Sequence, residues 1–105
     1  MAYNLIITDR ADELIDKLAS YLLNKLKNPE AAIHFMDDME DIYDRLEENP
    51  YLFPESKDSY LCSKGYREAV LSSMSYRVVF RVNEKTVYIV GVYHDLEDYA
   101  KKVER

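Results

Sequence analysis

Between Tyr76 and His94 the chain reads YRVVFRVNEKTVYIVGVYH, two apolar runs rich in β-branched and aromatic residues, separated by Asn83-Glu84-Lys85. Runs of this kind favour strands, and so short a polar interruption favours a hairpin. The fold must then cover at least one face of that hairpin with apolar surface from elsewhere. Period-two alternation sends Tyr76, Val78, Phe80 and Val82 one way and Arg77, Val79 and Arg81 the other. The first set belongs in a core. The second predicts an uncovered outer face, with Arg77 and Arg81 about 13 Å apart at the rise of a strand.

The cover comes from the front of the chain. Ala11, Leu14, Ile15, Leu18, Ala19, Leu22 and Leu26 recur at helical spacing and predict a helix over Asp9–Leu26. Thr8 or Asp9 can cap it, with Asp12 and Glu13 in the first turn where the dipole favours anions. Asn28-Pro29 breaks and restarts the pattern, since asparagine suits an N-cap and proline the first helical position. Ala32, Phe35, Met36, Met39, Ile42, Tyr43 and Leu46 then predict a buried stripe on a second helix, Pro29–Asn49. So short a link implies an antiparallel helix hairpin. Tyr3–Thr8 and Tyr66–Ser72 read as further strands, Tyr51–Gly65 as an aperiodic connecting loop, and Leu96–Glu104 as a short charged helix. The expected fold class is α+β, one domain over residues 1–105: an N-terminal strand, a helix hairpin packed on one face of an antiparallel sheet, and a short C-terminal helix.

Charge and cysteine content narrow the function. The net charge of −6 argues against a general nucleic-acid binder. It is also unevenly placed: Asp9–Asn49 holds 12 acids and 5 bases, whereas Pro50–Arg105 holds 8 acids and 9 bases. The single cysteine, Cys62, cannot form an intramolecular disulfide and reads as a small buried hydrophobe. His34 and His94 are not at metal-ligand spacing, and no cofactor is expected. The acids Asp37, Asp38, Asp41 and Asp44 read as a solvated helix face. The opening MAYNLIITDR lacks the pattern of a signal peptide, and no apolar run approaches the roughly 18 residues of a membrane helix. A cytoplasmic location with no membrane partner is the expectation.

Three pieces in order, NPEAAIHF, SKGYREAVL and SYRVVFRVNEKTVYIVGVYHDLEDY, resemble the RelE/ParE family of toxins from bacterial type II toxin–antitoxin modules, over nearly the whole chain. The resemblance implies a growth-inhibiting toxin neutralised by a cognate antitoxin protein. RelE-like members cut messenger RNA in the ribosomal A site, and ParE-like members inhibit DNA gyrase. The first activity is the leading expectation here, with gyrase inhibition, or antitoxin binding without toxicity, as alternatives.

RNA cleavage by a ribose 2′-hydroxyl needs a base, an acid and cations around the phosphorane. The resemblance places Arg77, after the tyrosine of the YR motif, in a catalytic role with His94 as the proton-exchanging group. Arg67, Arg81, Tyr93 and Tyr99 become substrate-binding candidates. Arg81 would position a phosphate, Tyr93 or Tyr99 would stack on a base, and Arg67 could instead pair with Glu68 or with an antitoxin carboxylate. Asp95, Glu97 and Asp98 depart from the basic surroundings of the RNA-cutting members.

Overall fold

The computed structural model of the chain describes residues 3–72 and 74–94. The expected Leu96–Glu104 helix and Tyr99 lie outside them. Strand β1 (Asn4–Ile7) leads into α1 (Asp9–Ser20). Thr8 is the cap: its hydroxyl accepts from the Ala11 N–H at 3.2 Å and donates to the Ile89 carbonyl at 3.0 Å. One side chain thus starts the helix and ties it to a strand 81 residues away. After Ser20 the helix widens into a π-helical turn, Tyr21–Lys25, and Lys27 reverses it with a left-handed φ of 51°. The widened turn keeps Leu22 in the core but leaves Leu26 53% exposed, correcting its expected burial.

The side chain of Asn28 accepts from the Ala31 N–H at 3.1 Å and starts α2 (Pro29–Glu48). Phe35, Met39, Ile42 and Leu46 form its buried stripe. Met36 lies off that stripe and is 39% exposed, a second correction. A 3-10 turn at Pro50–Leu52 follows, and then a short helix, α3 (Ser59–Ser63), capped by Asp58, where a loop was expected. Strands β2 (Tyr66–Val70), β3 (Tyr76–Asn83) and β4 (Thr86–His94) complete a sheet of order β1-β4-β3-β2. β2, β3 and β4 form an antiparallel meander. β1 lies parallel to β4, because the helix hairpin carries the chain across to the far edge before the meander returns. No helix among the described residues is long and apolar enough to cross a membrane.

The main core lies between the helices and the inner face of the sheet, where Val78, Phe80, Val87, Ile89 and Val92 meet Ala11, Ile15, Phe35, Met39, Ile42 and Leu46. The inward set Tyr76, Val78, Phe80 and Val82 is as the alternation required. In β4 the alternation changes phase. Val79 pairs with Gly91 but Phe80 pairs with Ile89, so Val90 is an extra residue forming a β-bulge. Before the bulge Val87 and Ile89 face inward; after it Val92 does, and Tyr93 turns to the outer face.

Gly91 accommodates that turn. A Cβ there would lie 2.5 Å from the Tyr93 ring. Gly91→Ala should therefore displace Tyr93 and destabilise the protein by about 1–3 kcal/mol, read as a lower urea midpoint at unchanged slope.

Candidate functional site

The outer face of the sheet was expected to be open, with Arg77 displayed on it. It carries a second, smaller core instead. Leu61 of α3 packs onto Tyr66, Val79 and Tyr93. Beside them the segment after α2 lies along the β2 edge: the Ser56 N–H donates to the Tyr66 carbonyl at 3.0 Å, and the Glu68 N–H donates to the Pro54 carbonyl at 3.1 Å.

Arg77 is on the outer face, as alternation demands, but only 8% of it is exposed. Its guanidinium is ion-paired with Glu68, which is 2% exposed. The Ser56 hydroxyl donates to the other Glu68 carboxylate oxygen at 2.5 Å. Burying a charge requires this kind of pairing. Glu68 therefore neutralises Arg77 and does not pair with Arg67, since neighbours along a strand point to opposite faces.

The remaining candidates scatter. Tyr93 is 1% exposed and cannot offer its ring to a base. His94 turns to the inner face, where its ring meets Tyr76 edge-on at 5.1 Å between centroids. Arg77 pairs in register with Tyr93, and Tyr76 with His94, so Arg77 and His94 occupy opposite faces. Arg67 donates from Nη1 to the Phe53 carbonyl at 2.6 Å and lies 5.0 Å over the Tyr51 ring. Arg81 is exposed and lies 5.7 Å from the Tyr66 ring centroid, its cross-strand partner.

Exposed cations here share a habit of resting on aromatic rings. Lys64 Nζ sits 5.5 Å from the Tyr60 ring centroid and Lys85 Nζ 4.9 Å from that of Tyr3. Such contacts contribute about 0.5–1 kcal/mol at exposed sites. Cys62 is half-buried, not fully buried, and lies 3.7 Å from Glu55 Oε1. Partial desolvation and that carboxylate hold its thiol above the usual range, which disfavours the nucleophilic thiolate. Among the described residues no cluster of three His, Cys, Asp or Glu side chains is arranged to hold a metal ion.

Glu68 and Ser56 are the polar residues that the sequence reading missed. Alternation of β2 could have put Glu68 on the outer face, but pairing it with Arg77 requires the strand register. What the face offers chemically is a neutralised ion pair under a lid and a fringe of ring-supported cations. Among the described residues it does not bring Arg77 and His94 together.

A helix hairpin on a four-stranded, mostly antiparallel sheet is the RelE/ParE-like fold. The family profile described as the ParE toxin of the type II toxin–antitoxin system, parDE, matches residues 5–99, and the chain belongs to that family. Among solved structures, the chromosomal ParDE system of P. aeruginosa is similar at a TM-score of 0.70 and 20% identity, covering 89% of this chain and 96% of that one. The RelBE2 toxin–antitoxin complex of Mycobacterium tuberculosis follows at 0.62 and 20%, covering 92% and 95%. A mutant of the E. coli toxin RelE in the free state gives 0.56 and 21%, covering 99% and 92%. No curated protein matches the chain in sequence.

Proposed function

We propose that this ParE-family toxin arrests growth by binding a protein target, DNA gyrase, without cleaving RNA, and that a cognate antitoxin protein holds it inactive. The observation that carries this reading is the buried Arg77–Glu68 pair. A cation stabilises a phosphorane only if its charge reaches the phosphate. Here that charge is already compensated and covered. The placement of His94 on the other face supports the same reading, because it separates the expected proton-exchanging imidazole from Arg77. The match to the parDE family profile favours the gyrase branch over the RNA-cutting one. An antitoxin partner is supported by the family and by similar structures described as toxin–antitoxin systems.

The test is to induce the protein and follow two readouts together. DNA supercoiling by gyrase should fall, while ribosome-bound messenger RNA stays intact. Cleavage within the A-site codon with normal supercoiling would overturn the reading. Normal supercoiling with intact RNA would also reject it.

A further inference from the structure

Positive charge gathers at one end of this acidic chain. From Lys64 to Thr86 there are five bases and two acids, and Arg77 and Glu68 are the pair that cancels beneath α3. Lys64, Arg67, Arg81 and Lys85 remain at the surface, against Glu84 alone. Strand register brings them together. Tyr66 pairs with Arg81, and Asn83 with Thr86, so β2 begins where β3 turns into β4. β1 begins there too, with Asn4 opposite Thr86. At this hairpin end each of the four cations rests on a tyrosine ring. None of the four forms a salt bridge among the described residues. Glu47 and Glu55 border the group, the first through its carbonyl bond from the Tyr3 N–H and the second as the β-bridge partner of Arg67. Counting them with Glu84, the end holds four bases and three acids, or +1 in a chain of −6.

The rings also build a rigid projection. Tyr3 meets Tyr51 edge-on at 6.3 Å between centroids, so Lys85 and Arg67 close a ladder of two cations and two rings. Tyr51 belongs to the 3-10 turn Pro50–Leu52, and its N–H donates to the Asn49 side chain at 3.1 Å. Before it Pro50 is buried, and after the turn Phe53 meets Phe80 edge-on at 6.0 Å. Leu52, held between these anchors, is 73% exposed. A lone exposed leucine is ordinary. On a braced turn, beside a tyrosine stacked with an arginine, it joins the residue types and the preorganisation of an interface hot spot.

We infer that the hairpin end is the toxin's contact with its target protein: Lys64, Arg67, Arg81 and Lys85 face a patch of aspartates and glutamates on gyrase, and Leu52 enters an apolar recess beside it. Charge complementarity selects the occupant. An acidic protein patch meets the local cations within a Debye length. DNA is the poorer fit, because counterion release from four bases is modest and a chain of net charge −6 repels phosphates. The inference rests on the gyrase reading above and names the surface that reading lacks.

The experiment measures binding of the purified toxin to gyrase holoenzyme at low and high salt, with supercoiling followed in parallel. Lys64→Glu, Arg81→Glu and Lys85→Glu together change exposed side chains and spare Arg67, whose Nη1 holds the Phe53 carbonyl. A control triple of equal net charge, Lys17→Glu, Lys25→Glu and Lys27→Glu, changes exposed side chains on α1 and the turn after it. The hairpin-end triple should slow association about tenfold or more at low salt and far less at high salt, and the control should not. Leu52→Ser should raise Kd at least about tenfold at either salt. Unchanged hydrogen exchange of the Val78 and Ile89 amides checks that each variant is folded, and if a triple fails that check Leu52→Ser decides alone. Equal association by the two triples, or an unchanged Kd for Leu52→Ser, overturns the surface and leaves the gyrase reading standing. Binding of the unaltered toxin to DNA alone, abolished in the hairpin-end triple, assigns the surface to phosphates and overturns it as well. Failure of the unaltered toxin to bind or inhibit gyrase overturns that reading, and this inference with it.

Discussion

Arg77→Ala is expected to destabilise the protein by about 3–5 kcal/mol, the usual consequence of leaving one member of a buried ion pair without its partner. Glu68, 2% exposed beside Arg77, would lose the guanidinium charge and keep the neutral hydrogen bond from the Ser56 hydroxyl. Domains of this size are stable by only about 5–15 kcal/mol, so the variant should lie close to unfolding at growth temperature. Any loss of toxicity on its own would then say nothing about chemistry. The informative variant replaces both partners, Arg77→Met with Glu68→Leu, because well-packed apolar substitutes for a buried pair are often neutral or stabilising. A non-catalytic toxin should regain both its unfolding midpoint and its growth arrest in this double variant. A toxin that needs the Arg77 charge at a phosphate would regain the midpoint and stay inactive, with a rate loss of about 10²–10³.

Leu61→Ala should cost about 2–5 kcal/mol, in the range of a leucine truncated in a sealed core. Leu61 is 0% exposed, and α3 contributes no other fully buried side chain. The damage should be local as well as global. With its apolar anchor removed, α3 loses its hold on Tyr66, Val79 and Tyr93, and water gains access to the Arg77–Glu68 pair. Denaturant titration should register the lower stability. Hydrogen exchange should register faster opening at Leu61 and Tyr93 than at Phe35 or Met39, which belong to the main core. Equal acceleration at all four amides would mean that the two cores unfold as one.

The helix hairpin was readable because its signals are local and redundant. Apolar residues repeat at helical spacing, Asn28-Pro29 marks the restart, and β-branched runs flank a polar turn. The turn itself asks Glu84 for a left-handed φ of 56°, which its composition does not advertise. The outer face was not readable to the same depth. Alternation placed Arg77 on the correct side, yet which segment lies above a strand is a matter of tertiary position. The covering helix spans five residues with one buried leucine, too little to generate a period, although Asp58 three residues before Leu61 was a usable capping signal. The Arg77–Glu68 pair depends on strand register, and so does the relation of Arg77 to His94. Both are properties of two strands together and are written in neither alone; the bulge at Val90 only hides the phase of β4 from its sequence.

The bulge has an evolutionary side. In a strand half-buried on one face, gaining or losing a residue ordinarily inverts every side chain beyond the change. β4 escapes that rule at Val90, because the surplus residue is absorbed by a local kink and the pairing resumes on either side of it. The strand can thus vary in length at this point while Val92, Tyr93 and His94 hold their orientations. A chain of this fold lacking that residue would still place its last strand positions on the faces they occupy here.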